Sequence, residues 1–283
     1  MLKFNISVIY NDRKRKKFMN IIDFENVNIG YDYRYLVLKE INLKIKEGEH
    51  WVILGANGSG KSTLLKLLSN DLYPNTHYKF KKKIFDQEKW DIFELKKQLG
   101  IVSNEIQNEF VYNARFDTAY EIVRSGFYAS LGKKNHHIYS NEENKKTDEI
   151  FDFLNISKLK EKKSSQMSTG ELRKCLIARA LIHKPKALLL DEPTTGLDIK
   201  AQRNFLKLIR KLTSSMSIII ITHHIEEIIE EISHVALIAE NRIYEQGEKE
   251  DIITSENISK VFDLDIELDK KDGKYFISHI KED

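Results

Sequence analysis

The stretch "GANGSGKST", residues 55–63, most constrains what this chain folds into. It matches G-x-x-x-x-G-K-[ST], with Gly55, Gly60, Lys61 and Ser62 in the fixed places. Ahead of it "HWVILGA" reads as a buried strand, and after it "KSTLLKLLSND" reads as an amphipathic helix. A strand, a glycine turn and a helix in that order point backbone N–H groups inward around an anion. The helix start adds partial positive charge. The run Gly55, Ala56, Asn57, Gly58, Ser59, Gly60, Lys61, Ser62 and Thr63 is therefore a candidate phosphate cradle. In it, Lys61 reaches the β- and γ-phosphates and the Ser62 hydroxyl holds Mg2+. An accidental glycine turn is the rival explanation, and the strand–loop–helix context weighs against it.

A second buried strand, "ALLLD", ends in the acids Asp191 and Glu192. Ligands of open α/β sheets gather at the carboxyl ends of strands, so Asp191 is a candidate Mg2+ ligand. Glu192 comes immediately after it and is a candidate for orienting or deprotonating an attacking water. Solvated acids at a strand end are the plain alternative. Upstream lies "MSTGELRK", where Ser168 and Glu171 fit a capping box, so a helix start is expected there. A third buried strand, "SIIIIT", runs into His223 and His224.

Alternating patterns across residues 21–54, such as "IIDFENVNI" and "LVLKEINLKI", read as half-exposed antiparallel strands. Residues 105–180 are mostly helical in pattern, and "KKNHHIYSNEENKKTD", residues 133–148, reads as a solvated loop. A helix, "IKAQRNFLKLIRKLTSS", separates the second and third buried strands, which predicts a parallel α/β sheet. Near the end "DIELDKKDGKYFI" reads as a hairpin turning at Asp272-Gly273.

The chain has 283 residues, of which 41% are hydrophobic, so it can bury a large core. Charged residues make up 31%, but the net charge is only +3, which argues against a dedicated nucleic-acid binder. The single cysteine, Cys175, excludes an internal disulfide and fits a reducing compartment. No apolar run approaches the roughly 18 residues of a membrane-spanning helix. The basic cluster near the start comes after the apolar residues, the reverse of a signal peptide. Residues 1–18 are expected to be a basic tail, with Met19 as an alternative start.

Taken together, the phosphate loop, the Ser168-Thr169-Gly170 turn, the acid pair and "TTGLD" resemble the ATP-binding cassette (ABC) ATPases. The resemblance spans about residues 20 to 245. It implies an α/β fold: a P-loop NTPase core with a mostly parallel sheet, an N-terminal antiparallel β subdomain and a helical insert. The implied core is 19–104 and 180–245, the helical subdomain 105–179, and a small C-terminal appendage 246–283.

The resemblance also implies Mg2+-dependent ATP hydrolysis by a homodimer, or by a dimer with a related ABC subunit, with composite ATP sites. The family's signature usually reads Leu-Ser-Gly-Gly-Gln; here it is Met167-Ser168-Thr169-Gly170-Glu171. By resemblance this turn closes over the γ-phosphate held by a second copy, with the Ser168 hydroxyl and Gly170 N–H as donors. Thr169 adds a side chain where the family has glycine. His223, rather than His224, matches the family's switch histidine. Asp198 matches the loop that meets the opposite copy. Tyr31, with Tyr33 and Tyr35 as competitors, is the aromatic expected to stack on adenine, though three alternating tyrosines also suit an ordinary strand face. The glutamine loop, expected to sense Mg2+ and water, falls on Gln107, with Asn104 as the alternative.

"LGIVSNEIQNEF", "EIVRSGFYASLG", "STGELRK" and "THHIEEI" are similar to one subgroup, named for molybdenum transport and photorepair. Two functions are implied. One is the cytoplasmic, peripheral energy-supplying subunit of a transporter, most simply an importer, with separate membrane-spanning subunits. The "SGFYASLG" segment would then carry motion to that partner. The other is a soluble ABC ATPase acting on a nucleic-acid or protein assembly. Near-zero net charge, the lack of a second cassette and the short spacing between Lys61 and Asp191 all weigh against the second. A phosphate-loop kinase outside the family would not need the Ser168 turn.

Overall fold

The structure is a computed structural model and describes residues 19–32 and 35–281, without the side chains of Tyr31 and Asp32. The expected basic tail, residues 1–18, and Tyr33 lie outside the described residues, as does the side chain of Tyr31.

Three β layers organise these residues. A three-stranded antiparallel sheet contains β1 (Asn20–Asp32), β2 (Tyr35–Lys46) and β4 (Lys81–Ile84), in the order β2-β1-β4. The central sheet contains β3 (Trp51–Gly55), β5 (Leu99–Val102), β6 (Ala187–Asp191), β7 (Ser217–Thr222), β8 (His234–Ala239) and β9 (Arg242–Glu248). Its order is β5-β6-β7-β3-β8-β9, parallel throughout except for β9. The third is the hairpin of β10 (Asp265–Lys271) and β11 (Lys274–Lys281). Asp272 and Gly273 both have positive φ at its turn, 51° and 74°, which matches the right-handed twist of the paired strands.

Strands β3, β6, β7 and β8 bury both faces, as parallel strands covered on both sides must, whereas the antiparallel edge strand β9 is largely exposed. Val52, Leu54, Leu188, Leu190, Ile218 and Ile220 face a core shared with the helical part of the chain. Trp51, Ile53, Leu189, Ile219 and Ile221 face the antiparallel sheet and α1 (Lys61–Leu68). Helix α1 is thus held between two sheets, and its Leu64 and Leu67 are fully buried. Each such side chain contributes roughly 1.5–3 kcal/mol.

Helices α2 (Ile92–Gln98), α3 (Asn104–Asn113), α4 (Ala119–Arg124), α5 (Asn141–Phe153) and α6 (Thr169–Leu181) lie between β4 and β6. Helix α7 (Ile199–Leu212) links β6 to β7, and α8 (Lys249–Ile252) and α9 (Ser255–Phe262) precede the hairpin. The hairpin is tied down through buried Ile266 and Tyr275, whose hydroxyl donates to Glu250 Oε2 at 2.9 Å. Among the described residues no helix is long and apolar enough to cross a membrane.

One expectation fails. Residues 133–140 carry no helix or strand, but the predicted loop stops there, because α5 starts at Asn141. Ser140 accepts from the Glu143 N–H while the Glu143 carboxylate accepts from the Ser140 N–H, a reciprocal cap on a charged first turn. Thr147, Phe151 and Leu154 then recur at helical spacing and are buried. The apolar anchor lies beyond the polar stretch, so composition alone hides it.

Ile220→Ala, at the centre of a strand buried on both faces, should cost about 2–5 kcal/mol. Ser140→Ala, which removes only the α5 cap, should cost about 1 kcal/mol. Urea unfolding checks both, and equal midpoints for the two variants would contradict the described packing.

Candidate functional site

Parallel strands β6, β7 and β3 are neighbours, and their carboxyl ends deliver Asp191, His223 and the phosphate loop to one edge. At Gly60, the residue before α1, φ is 101°, and a Cβ would meet the Leu38 side chain at 2.6 Å. Only glycine meets both demands. At Gly55 a Cβ would meet Ser59 Oγ at 2.6 Å. Lys61, Ser62 and Thr63 form the first turn of α1, where backbone N–H groups have no intrahelical acceptor. The Ser59 hydroxyl in the same loop is buried without a partner, a polar group of the kind a bound anion satisfies.

Lys61 Nζ donates to the carbonyls of Gly55 and Ala56, both at 2.9 Å, and lies 3.9 Å from Glu192 Oε1. Burial pulls its pKa down, against the attraction of Glu192 and Asp191. Burial pushes Asp191 up to about 6, and the neighbouring Glu192 adds to the rise.

Glu192 takes a left-handed backbone, φ 46°, which for a non-glycine residue costs about 1–2 kcal/mol. Its Oε1 meets His223 Nδ1 at 2.7 Å and its Oε2 accepts from the Thr222 hydroxyl at 3.3 Å. His224 instead donates its N–H to Thr222 Oγ1 at 2.9 Å. Of the two histidines, His223 is the one hydrogen-bonded to Glu192.

Ser168 and Glu171 form a reciprocal cap on α6: Ser168 Oγ accepts from the Glu171 N–H at 3.2 Å, and Glu171 Oε2 accepts from the Ser168 N–H at 2.9 Å. Thr169 and Gly170 complete that turn, which faces a shallow hollow shared with Gly196, Leu197 and Asp198. Asp198 caps α7, accepting from the Ala201 N–H at 2.7 Å. No phosphate-loop residue lines that hollow. Tyr35, one of the competing aromatics, is 73% exposed.

Both candidate amides, Asn104 and Gln107, converge on a residue that the sequence motifs do not single out. Arg173 Nε donates to Gln107 Oε1 at 2.9 Å, and its guanidinium also donates to Asn104 Oδ1. Its Nη1 donates to the carbonyls of Glu192, Pro193 and Thr195 at 3.2, 2.7 and 3.1 Å. A signal was available: Arg173 falls between Leu172 and Cys175 on the buried face of α6. A charge at such a place must be paired.

The donor set fits a magnesium nucleotide. The glycine cradle, the orphaned Ser59 hydroxyl and Lys61 suit phosphate, and Ser62 with Asp191 offers the hard oxygen ligands that Mg2+ takes.

Keeping Asp191 charged disfavours the fold. A carboxyl whose folded pKa exceeds its unfolded value of 3.8 contributes stability below that value and loses it as pH rises to about 6. Asp191→Asn should therefore raise stability by about 1–2 kcal/mol at pH 7 without nucleotide or Mg2+, and the gain should vanish near pH 4. Thermal melts at the two pH values test this, and destabilisation at pH 7 would contradict it.

Comparison with known proteins agrees with this geometry. The ABC transporter family matches residues 38–195. An uncharacterised ABC transporter ATP-binding protein of Bacillus subtilis, YlmA, is 32% identical over 254 residues, covering 88% of this chain and 93% of its own. Among solved structures, cbiO1 of Clostridium perfringens, described as part of the ABC transporter complex cbiONQ, superposes with a TM-score of 0.70 and 28% identity, covering 85% of this chain and 93% of its own. The cassette MJ0796, solved as a dimer in a post-hydrolysis state with ADP and Pi, gives 0.64 and 25%, covering 80% and 98%. None of these three carries the name of the molybdenum-transport and photorepair subgroup. On sequence, fold and site together, the chain belongs to the ABC transporter ATP-binding proteins and is an ATPase.

Proposed function

We propose that this chain supplies energy to an ABC transporter by hydrolysing ATP in a homodimer whose two sites are each completed by the opposite copy. The observation that carries the reading is the cluster at the sheet edge: Glu192 holds His223 at 2.7 Å and stands 3.9 Å from the phosphate-loop Lys61.

In this reading the loop from Gly55 to Thr63 wraps the phosphates, and Lys61 exchanges the Gly55 and Ala56 carbonyls for phosphate oxygens. Ser62 and Asp191 hold Mg2+, with the amide of Gln107 or Asn104 as a further sensor. When bound, Mg2+ neutralises phosphate charge as the leaving oxygen develops its own. Glu192 orients the attacking water and takes its proton as the water oxygen bonds to the γ-phosphorus and the bond from the γ-phosphorus to the bridging oxygen breaks, releasing ADP and phosphate. His223 holds Glu192 and the γ-phosphate in register. Adenine stacks on Tyr31.

The hollow at the signature turn is lined by no phosphate-loop residue, which supports action in trans. Ser168 and Glu171 use their N–H groups in the reciprocal cap of an α-helix, so the N–H groups of Thr169 and Gly170, with the helix dipole, favour an anion brought by a second copy. Asp198 faces the same hollow and meets that copy. The dimer seen for MJ0796 with ADP and Pi supports this arrangement. Loss of the γ-phosphate removes the charged bridge, and the copies part.

Membrane-spanning subunits are the proposed partners, as cbiO1's place in a transporter complex supports. A cleft of about 620 Å³ between α1, α3 and α6 is the proposed docking place, lined by Glu105, Glu109, Phe110, Gly126, Arg179 and His183. Arg179 donates to Ser125 Oγ at 3.2 Å and to the Ser130 carbonyl at 2.8 Å, so "SGFYASLG" is fastened to the helix that starts at the signature. The C-terminal hairpin is compatible with an importer, since importer ATPases carry small appendages in this position.

Glu192→Gln should bind ATP but hydrolyse it at least about a hundredfold more slowly, and should persist as a dimer with ATP. Size-exclusion chromatography checks this. A variant that stays monomeric with saturating MgATP would contradict the reading.

A further inference from the structure

We propose that Arg173 is a positioning residue for hydrolysis: it holds the backbone of residues 192–195, and with it the Glu192 carboxylate, in register with Asn104 and Gln107. The inference rests on the reading of Glu192 as the group that handles water.

Arg173 is 2% exposed, yet every nitrogen of its guanidinium has an acceptor. Its fork connects three segments far apart in sequence: α6, the start of α3, and the loop after β6. A planar guanidinium does this because its donors point in fixed, divergent directions. Lysine has one point charge and cannot serve five acceptors from one place.

The loop is gripped from its other side as well. Glu227, 1% exposed, accepts from the Thr194 N–H at 2.8 Å and from the Thr194 hydroxyl. Arg173 takes the carbonyls of residues 192, 193 and 195, and Glu227 takes the N–H between them. This two-sided clamp keeps Glu192 in its left-handed conformation, with Oε1 on His223. Without the clamp the backbone relaxes toward a commoner region and moves the carboxylate.

The same fork takes the amide oxygens of both Gln107 and Asn104. The nitrogens that hold those two amides and the one that holds the Glu192 loop belong to a single rigid plane, so a shift of either amide is felt at the loop. Because Ser168 caps the helix that carries Arg173, closure of a second copy on Ser168 bears on the same fork. Arg173 thereby links the helix that a second copy would close on, the two amides and the placing of Glu192.

Arg173→Lys keeps the charge and loses the fork. Its kcat should fall at least about tenfold while KM for ATP and Kd for ADP stay within about threefold. The ATP-bound dimer should outlive that of the unaltered protein. In nucleotide-free protein, hydrogen exchange of the peptide covering residues 190–197 should quicken, a readout independent of turnover. A merely structural arginine would instead lower ADP binding and kcat together. If Arg173→Lys folds poorly, Glu227→Gln tests the opposite jaw of the clamp and should give the same split. A kcat within twofold of normal in either folded variant, beside a Glu192→Gln variant that still traps the dimer, overturns this inference and leaves the broader reading standing.

Discussion

The cluster at the sheet edge depends on the packing of three parallel strands. Strands β6, β7 and β3 lie side by side because Val, Ile and Leu fill both of their faces, leaving no polar side to turn toward water. Their registry is fixed by that burial. Their carboxyl ends therefore stop together, and the segments leaving them share one edge. After β3 come the glycine turn and Lys61; at the end of β6 come Asp191 and Glu192; after β7 comes His223. Each arrives from a different part of the sequence, and the sheet brings them together.

This assembly has an electrostatic cost. Asp191 is held near a pKa of about 6 by burial, Lys61 is pulled down by burial, and Glu192 keeps a strained backbone. Such a site is stabilised least when nothing is bound, and a bound nucleotide offsets the cost of burial. Rigidity is supplied from below. Arg173 and Glu227 hold the loop after Glu192, and both are almost fully buried. A preorganised carboxylate has little reorganisation left to do in the transition state.

Much of this was legible in the sequence where the signal is local. "GANGSGKST" carries its own strand, turn and helix, and the apolar run before Asp191 announces a buried strand end. The hairpin at Asp272-Gly273 is also a local signal. The features that were not legible depend on distance. Arg173 meets Gln107 and Asn104, 66 and 69 residues away in the chain, so nothing near it in sequence names its partners. Strand β4 is hidden for a related reason: "KKKI" has no apolar alternation, and its lysines are satisfied only by other segments. Lys81 pairs with Asp23 at 2.9 Å across the sheet, and Lys82 is buried against Asn70 and the Tyr73 ring. Helix α5 is hidden because its polar first turns precede its apolar anchor.

The central claim is that each ATP is gripped by two copies, one lending the phosphate loop and the other Ser168. Mixing two inactive variants, Lys61→Ala and Ser168→Arg, tests it most directly. A mixed dimer joins the sound phosphate loop of one chain to the sound signature turn of the other. Equal amounts should recover roughly a quarter of the normal rate, since half of randomly paired dimers are mixed and each holds one intact site. No recovery on mixing, with subunit exchange verified, or full activity of Ser168→Arg alone, would contradict the account.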